Sequence, residues 1–121
     1  MYVSTAWSRV FALDAATGEM LWSFDPQVPG EKGRDACCDV VNRGVAVSGS
    51  QVFLGALDGR LIPLERSTGK PNWSTQITDV SKPYTITGAP RVARNMVRQC
   101  DCRHLHQHAS VFTPRPQPRR G

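Results

Sequence analysis

Two neighbouring cysteines, Cys37 and Cys38, are the residues of this chain with the clearest potential for chemistry. Consecutive Cα atoms lie about 3.8 Å apart across a trans peptide, whereas disulfide-bonded cysteines usually keep theirs about 4.4–6.8 Å apart. A bond between neighbours would therefore close a small, strained ring, and strain of this kind concentrates at functional sites. The alternatives are a reduced pair that acts as small apolar filler, or separate pairing of each thiol elsewhere.

A second candidate cluster lies near the end of the chain, where Cys and His occupy alternate positions. Its members are Cys100, Cys102, His104, His106 and His108. On one strand this spacing would put all five on the same face, and Cys and His are the usual ligands of structural zinc. Residues along one strand face splay apart, however, and structural zinc sites favour two to four residues between cysteines. Metal binding is therefore the weaker interpretation of this cluster.

The charge distribution sets the same segment apart. Residues 1–90 carry eight Lys/Arg against nine Asp/Glu, whereas residues 91–121 carry seven Arg against one Asp. The net charge of +5 over 121 residues therefore comes entirely from the tail, and we expect no nucleic-acid partner. The abrupt change predicts that the strand pattern stops after Val92 and that residues 94–121 form a disordered or out-of-frame basic tail.

An internal repeat organises the part of the chain before this tail. At an offset of 51 residues, the stretch RVFALDAATGEMLW (9–22) aligns with RLIPLERSTGKPNW (60–73). The identities are Arg9 with Arg60, Leu13 with Leu64, Thr17 with Thr68, Gly18 with Gly69, and Trp22 with Trp73. A period of this size indicates a repeat architecture in which each unit buries its face against the next.

Each repeat consists of short strand-like runs separated by turn residues. Its Thr-Gly step should supply the positive φ of a tight turn, and the tryptophan that follows should pack between neighbouring sheets. We expect strands at 45–47, 52–55, 60–64 and 71–74 in the second copy, and at 2–5, 9–13 and 20–24 in the first. Four-stranded sheets repeated radially are β-propeller blades. The predicted fold is therefore all-β, a partial propeller of about two four-stranded blades, with the innermost strand of the first blade upstream of Met1. An isolated antiparallel sandwich is the alternative.

Blade geometry predicts where functional residues gather. In a propeller, the segment between the outer strand of one blade and the inner strand of the next returns towards the central axis, where ligands bind. Here those segments are 25–44, which carries Cys37 and Arg43, and 76–89, which carries Thr87. Cys37 and Thr87 lie 15 and 14 residues after the tryptophan of their own repeats. The two segments should thus converge on one central site.

The sequence resembles the pyrroloquinoline quinone (PQQ)-dependent alcohol dehydrogenases, which are eight-bladed quinoprotein propellers of the bacterial periplasm. The resemblance rests on ALDAATGEMLW, PLERSTGKPNW, ACCDVVNRG and YTITGAP, and it covers about residues 1–93. These stretches are closer to ethanol-type and quinohaemoprotein alcohol dehydrogenases than to methanol dehydrogenases. The resemblance implies that residues 1–93 are a propeller fragment of such an enzyme.

The resemblance also implies roles for particular residues. Cys37 and Cys38 would form a disulfide ring that lies against one face of the planar PQQ. Arg43 matches an arginine that hydrogen-bonds the quinone oxygens, and Thr87 matches a threonine that hydrogen-bonds a cofactor carboxylate. Taken alone, an Arg after a loop is usually a solvated charge and a Thr before Gly is usually a turn residue. Their spacing beside the cysteine pair makes them candidates for cofactor binding.

Other parts of the family's chemistry are expected outside this chain. In the family a calcium ion polarises the quinone carbonyl and an aspartate takes the alcohol proton. We expect that aspartate and the calcium ligands on later blades, so this chain should have no catalytic residue, no metal ligand and no dehydrogenase activity. The parent enzyme would oxidise a small primary alcohol in the periplasm and pass electrons to cytochrome c or a quinone, and membrane association of its complex is left open.

Two other functions stay open at this point. One is a non-enzymatic propeller scaffold that shares the repeat without the cofactor, and the other is a small Cys/His metal-binding protein built around the tail. A scaffold has no use for a strained cysteine ring, so the ACCDVVNRG stretch favours the enzyme. Two blades of a ring leave flanking faces uncovered, and we therefore expect a marginally stable, aggregation-prone chain. Pro63 and Pro71 should weaken the second blade further, since Pro71 falls where a strand needs a donor.

Overall fold

The computed structural model describes residues 1–36, 39–94, 96–103 and 106–114, with side chains up to residue 100. Within these ranges the chain forms three antiparallel sheets and two short 3₁₀ turns at Ala6–Ser8 and Gly30–Arg34. No helix in the described part of the chain has the length and apolar character needed to cross a membrane. The architecture is all-β, as the sequence predicts.

The first two sheets correspond to the two sequence repeats. The first has the order β1-β2-β3, formed by Tyr2–Ser4, Val10–Leu13 and Met20–Phe24. The second has the order β4-β5-β6-β7, formed by Ala46–Ser48, Gln51–Gly55, Arg60–Glu65 and Thr75–Gln76. Three strands in the first copy and four in the second match the sequence expectation.

The repeat is preserved in the turns that precede each tryptophan. The backbone N–H of Gly18 donates to the carbonyl of Asp14 at 2.7 Å, and that of Gly69 donates to the carbonyl of Glu65 at 2.8 Å. The two glycines have φ values of +76° and +75°, a conformation that is strained for residues with a side chain. Equivalent positions of the two copies therefore adopt the same turn.

The outer strand of the second sheet differs from the predicted range 71–74. The paired strand is Thr75–Gln76, and Pro71 makes a single isolated bridge to Leu64. In the first sheet the corresponding strand is continuous, from Met20 to Phe24. Proline has no N–H to donate, so Pro63 and Pro71 interrupt the ladder between these strands.

Trp22 lies at the margin of the contact between the first two sheets and reaches a turn of the second sheet. Its indole Nε1–H donates to the carbonyl of Arg66 in the second sheet at 2.9 Å. A Cβ built on Gly69 would lie only 2.6 Å from Cδ2 of the Trp22 ring, so the ring rests on the bare backbone of the neighbouring turn. This tryptophan packs between neighbouring sheets, as the sequence predicts.

Side chains of the second sheet point alternately to its two faces, and a neighbouring sheet covers each face. One face packs against the first sheet through Val10, Val52, Leu54, Ala56, Ile62 and Leu64, with Tyr2, Trp22 and Phe24 at the margin. The other face packs against the third sheet through Phe53, Leu61 and Val97, with Trp73, Ile77 and Val92 at the margin. The three sheets are therefore stacked face to face.

The third sheet is built around one long strand. Its members are β8 (Tyr84–Thr85), β9 (Arg91–Ala93), β10 (Met96–Arg103) and β11 (His106–Pro114). Strand β10 pairs with β11 along one edge and with both β8 and β9 along the other. Residues 86–90 lie between β8 and β9 and carry the predicted site residue Thr87.

The expectation that the strand pattern stops after Val92 is wrong. Val97 and Gln99 are buried and alternate with exposed neighbours, which is the pattern of a strand with one covered face. Val97 packs on Phe53 and Leu61 of the second sheet, and this tertiary contact organises the strand. The out-of-frame origin of the tail stays a prediction, and residues 115–121 lie outside the described residues.

Candidate functional site

The two segments predicted to converge meet through Arg43 and Thr87. The backbone N–H of Arg43 donates to the Thr87 carbonyl at 2.9 Å, and its Nη1 donates to the Thr87 Oγ1 at 3.2 Å. Thr87 is only 3% exposed, whereas Arg43 reaches solvent. Two residues 44 positions apart therefore form one unit, in which a guanidinium and a hydroxyl lie side by side.

Asn42 fixes the backbone that carries Arg43. Its Nδ2 donates to the carbonyl of Gly55 at the end of β5, at 3.0 Å. Its Oδ1 accepts the backbone N–H of Gly44, also at 3.0 Å, and Gly44 has a φ of +123°. The loop is thus attached to the second sheet immediately before Arg43 and turns away immediately after it.

A close approach of three chain segments positions Thr87. The side chain of Gln99 on β10 donates from Nε2 to the Gly88 carbonyl at 2.9 Å. The buried Ile86 side chain and Gln99 both approach Gly55, where an added Cβ would lie 2.6 Å from each. Only glycine at position 55 allows this approach, so residues 86–88 pack against the end of β5.

A cavity of about 500 Å³ opens beside the Arg43–Thr87 pair. Its described lining consists of Arg43, Gly88, Ala89, Arg91, Arg98 and Cys100. Three of these described lining residues are arginines, so the described part of the wall carries several positive charges. Cys100 is exposed and forms no disulfide.

Sequence reasoning missed Arg91 and Arg98 as members of this site. Arg91 directly follows the YTITGAP stretch that carries Thr87, and this adjacency was the available signal. Arg98 reaches the cavity because β10 pairs with β9, which places Arg98 directly opposite Arg91. No local pattern in the arginine-rich tail indicates that pairing.

Cys37 and Cys38 lie outside the described residues, and their pairing state stays a prediction. The residues on both sides of the pair pack around Trp7. The Trp7 backbone N–H donates to the Val40 carbonyl at 2.9 Å, and a Cβ on Gly33 would lie 2.9 Å from the Trp7 ring. Asp39, directly after the pair, has a left-handed φ of +68°. The chain thus turns sharply where it leaves the two cysteines.

The Cys/His positions of the tail do not share one strand, as the zinc interpretation required. Strand β10 ends at Arg103 and β11 begins at His106, so the cluster is divided over a hairpin. The register places His106 opposite Arg103 and His108 opposite Asp101, and not opposite the cysteines. His104 and the side chains beyond residue 100 lie outside the described part of the chain. No metal-binding cluster of His, Cys, Asp or Glu occurs among the described side chains.

One titratable group near the start of the Thr87 segment is perturbed. The pKa of Asp79 is lowered because the side chain and the backbone N–H of Ser81 both donate hydrogen bonds to its carboxylate. These bonds close a tight turn before β8. Asp79 is absent from the cavity lining and belongs to the framework of the segment.

The stacked sheets, the interlocked tryptophan turns and the convergent inter-sheet loops define a segment of a β-propeller. A family described as "PQQ: Glucose/ethanol/alcohol dehydrogenase, beta-propeller domain" matches residues 1–76. This chain belongs to that family, since the match covers more than half of its length.

Individual relatives agree with this family membership. The chain is 58% identical over 97 residues to quinohemoprotein alcohol dehydrogenase ADH IIB of Pseudomonas putida, covering 80% of this chain and 14% of that protein. It is 57% identical over 98 residues to 1-butanol dehydrogenase (cytochrome c) of Thauera butanivorans, with the same two coverages. Both matches span about one seventh of the relative's length.

A solved structure gives the same result for the fold. The structure of quinohemoprotein alcohol dehydrogenase ADHIIG from Pseudomonas putida HK5 superposes with a TM-score of 0.82 at 45% identity. The superposition covers 84% of this chain and 15% of that one. The predicted partial β-propeller is thereby confirmed.

Proposed function

We propose that this chain is the segment of a PQQ-dependent alcohol dehydrogenase that holds one part of the cofactor through Arg43 and Thr87. The observation that carries the proposal is the pair of hydrogen bonds between these two residues. A fixed guanidinium and a hydroxyl, brought together from different blades beside a cavity, suit neighbouring oxygens of one ligand. Cys37 and Cys38, as a disulfide ring, would lie against one face of the quinone.

The chemistry of the cavity fits PQQ. The cofactor is a flat quinone with three carboxylates, and three guanidinium groups are among the described residues that line the cavity. Guanidinium groups bind carboxylates in a bidentate geometry and remain charged at any pH that a protein tolerates. The donor set present in this chain is therefore suited to the cofactor.

When bound, PQQ supplies the acceptor for a hydride from the alcohol. The residues of this chain bind and orient it. Arg43 would place a fixed positive charge beside the quinone oxygens, and preorganised charge of this kind needs no rearrangement during reaction. Thr87 would donate its hydroxyl hydrogen to a cofactor carboxylate, and a ring of Cys37 and Cys38 would give a rigid, water-excluding surface. The proton-accepting aspartate and the calcium ligands would come from later blades.

The wider setting of the parent enzyme is part of the same proposal. The relatives' names support an alcohol substrate, and one of the names supports cytochrome c as the electron acceptor. A quinone is the other acceptor that we propose. The predicted disulfide of Cys37 and Cys38 would persist in an oxidising compartment, and a periplasmic location follows from that prediction. Association of the parent complex with a membrane is consistent with a quinone acceptor.

Equilibrium dialysis with PQQ, at low concentration of the purified chain, tests the proposal. We expect the wild-type chain to retain PQQ and Arg43→Gln to bind it about 10- to 100-fold more weakly, because a charged hydrogen bond contributes about 1.5–3 kcal/mol. Thr87→Val, which removes a neutral donor, should weaken binding by about 3- to 10-fold.

Arg66→Gln is the matched control, because it removes the same charge from an exposed arginine that does not line the cavity. Its affinity for PQQ should equal that of the wild type, and circular dichroism should show all three variants folded. Failure of the wild-type chain to retain PQQ would favour the non-enzymatic scaffold. Equal losses of PQQ affinity in Arg66→Gln and Arg43→Gln would show that the loss comes from the change in net charge and not from a specific contact.

A further inference from the structure

Trp7 and Ser8, in the connection between β1 and β2, have an unusual backbone conformation. Their φ values are +62° and +60°, so two consecutive residues with side chains lie in the left-handed region. This conformation is unfavourable for residues that carry a Cβ, and a bulky residue such as tryptophan rarely adopts it. Strain of this kind persists only where surrounding contacts hold it, and here those contacts lead to both segments of the candidate site.

Ser8 contacts the second sheet and, through it, the segment that carries Thr87. Ser8 is 0% exposed, and its Oγ accepts the backbone N–H of Leu57 at 2.9 Å in the turn between β5 and β6. The carbonyl of Leu57 in turn accepts the backbone N–H of Ile86 at 3.4 Å. Because Ile86 directly precedes Thr87, one buried residue, Leu57, connects Ser8 to the Thr87 segment.

Trp7 contacts the other segment, which carries Arg43. Its backbone N–H donates to the Val40 carbonyl at 2.9 Å. A Cβ added to Gly33 would lie 2.9 Å from Cη2 of the Trp7 ring and 3.3 Å from Cγ1 of Val40, so both side chains pack on bare backbone. Val40 lies shortly before Arg43 in the chain. Trp7 therefore holds the loop in place as it approaches Arg43.

One connection in the first sheet thus contacts both segments of the site. Trp7 and Ser8 are not among the described residues that line the cavity beside Arg43, so their effect on a ligand there would be indirect. The bonds between Arg43 and Thr87, at 2.9 and 3.2 Å, require that loops from different repeats meet at hydrogen-bonding distance. Two adjacent residues with fixed backbone angles can set the spacing between those loops.

We propose that Trp7 and Ser8 are positioning residues for the Arg43–Thr87 pair. Trp7 sets the position of the Arg43 loop, and Ser8 sets that of the Thr87 segment through Leu57. A site whose donors come from two segments needs both segments fixed before the ligand arrives, because misplacement of either weakens the contacts that depend on the pair. The consequence for PQQ rests on the proposed function, whereas the positioning of the pair does not.

Gly33→Ala tests the Trp7 contact without removing a hydrogen-bonding group. Its methyl group would overlap the Trp7 ring and push the loop away from it. Gly30→Ala is the matched control, because Gly30 lies in the same 3₁₀ turn and a Cβ there meets no atom within 4 Å. Hydrogen exchange, read by mass spectrometry with fragmentation that resolves single amides, should be about 3- to 10-fold faster at the Arg43 amide in Gly33→Ala and unchanged in Gly30→Ala.

Ser8→Ala tests the second connection. It removes the acceptor of the Leu57 N–H, and exchange at the Ile86 amide should become about 3- to 10-fold faster, because that amide donates to the Leu57 carbonyl. Ser23→Ala is the matched control, since Ser23 is an exposed serine on β3 of the same sheet. Its exchange at Ile86 should equal that of the wild type.

Two measurements distinguish positioning from a general loss of stability. In Gly33→Ala, the Arg43 amide should be accelerated more than the amides of Val52 and Leu54 in β5. Combining Trp7→Phe with Gly33→Ala should restore slow exchange at Arg43, because the smaller ring leaves room for the methyl group.

Equilibrium dialysis with PQQ connects the positioning to the cofactor. Gly33→Ala should bind PQQ about 3- to 10-fold more weakly than the wild type, and Gly30→Ala should bind it equally well. Gly69→Ala controls for lost stability, because its methyl group overlaps the Trp22 ring, a contact outside both segments of the site. In its folded form it should keep the wild-type affinity for PQQ.

The outcomes separate this role from the cofactor assignment. Unchanged exchange at Arg43 in Gly33→Ala overturns the proposal, and so does an acceleration shared equally with β5. PQQ affinity that falls in Arg43→Gln but not in Gly33→Ala also overturns it and leaves the proposed function intact. Faster exchange at Arg43 and Ile86 in a chain that retains no PQQ supports the positioning role and removes the proposed function.

Discussion

At the scale of single residues, the contact between Arg43 and Thr87 follows from the repeat. Loops at equivalent places of successive repeats return to the same region, and the two hydrogen bonds show that these loops do so. Their role towards PQQ stays a prediction. Arg98 could not be found in this way, because it enters the cavity through a strand pairing that is specified by contacts distant in sequence.

The cysteine pair gives a prediction at the same scale. Trypsin should release the peptide DACCDVVNR, which begins at Asp35 and ends at Arg43. We expect mass spectrometry without reduction to find this peptide two hydrogen atoms lighter than its dithiol form and resistant to alkylation. Cys100 is the internal control and should alkylate readily, because its thiol is exposed and unbridged.

Alkylation of both Cys37 and Cys38 before any reductant is added would contradict the predicted ring. Such a result would support the interpretation of the pair as reduced apolar filler. It would also remove the rigid surface proposed for one face of the cofactor, while leaving the Arg43–Thr87 contact in place.

At the scale of elements, the glycine turns that precede Trp22 and Trp73 show which features local sequence can specify. The Thr-Gly step and the following tryptophan predicted both the positive φ and the packing between sheets. The shortened strand β7 was less accessible, although Pro63 and Pro71 indicated a weak ladder. Strands β10 and β11 were missed because arginine and histidine obscure the alternation, and burial of Val97 depends on the second sheet.

Substitution of the two turn glycines tests the packing of Trp22 against the second sheet. Gly69→Ala should lower the free energy of unfolding by about 1–3 kcal/mol more than Gly18→Ala, because its Cβ overlaps the Trp22 ring. Gly18 is the matched control, since its φ of +76° is close to the +75° of Gly69 and the methyl group of an alanine there would meet no atom within 4 Å. Urea denaturation measures both.

Equal losses of stability in the two variants would show that only backbone strain matters. In that case the Trp22 ring would not rest on the Gly69 turn in solution. A Trp22→Phe variant provides an independent check, because it keeps most of the ring but removes the donor to the Arg66 carbonyl. It should destabilise the chain by about 0.5–1.5 kcal/mol.

At the scale of the whole molecule, the stacking covers the three sheets to different extents. The second sheet is covered on both faces, whereas the first and third have one neighbour each among the described elements. Met20 and Leu21 on β3 are 57% and 64% exposed, and the buried Nε1 of Trp73 has no acceptor in the described part of the chain. These are features of surfaces that propeller blades normally cover.

We therefore expect the purified chain to self-associate. Size-exclusion chromatography with light scattering should show a mass that rises with protein concentration, and thermal unfolding should be irreversible. The physical reason is the uncovered apolar surface together with unpaired strand edges. A soluble monomer with a cooperative, reversible melt would contradict this expectation and would show that three stacked sheets are sufficient for stability.

The most direct test of the central claim is a double-mutant cycle on PQQ affinity with Arg43→Gln, Thr87→Val and the combined variant, measured by equilibrium dialysis. If both residues bind one cofactor as a contacting pair, the loss in the combined variant should differ from the sum of the single losses by about 0.5–3 kcal/mol. Wild-type affinity that none of the variants changes, or a chain that retains no PQQ, would contradict the assignment of this segment as a cofactor-holding part of the enzyme.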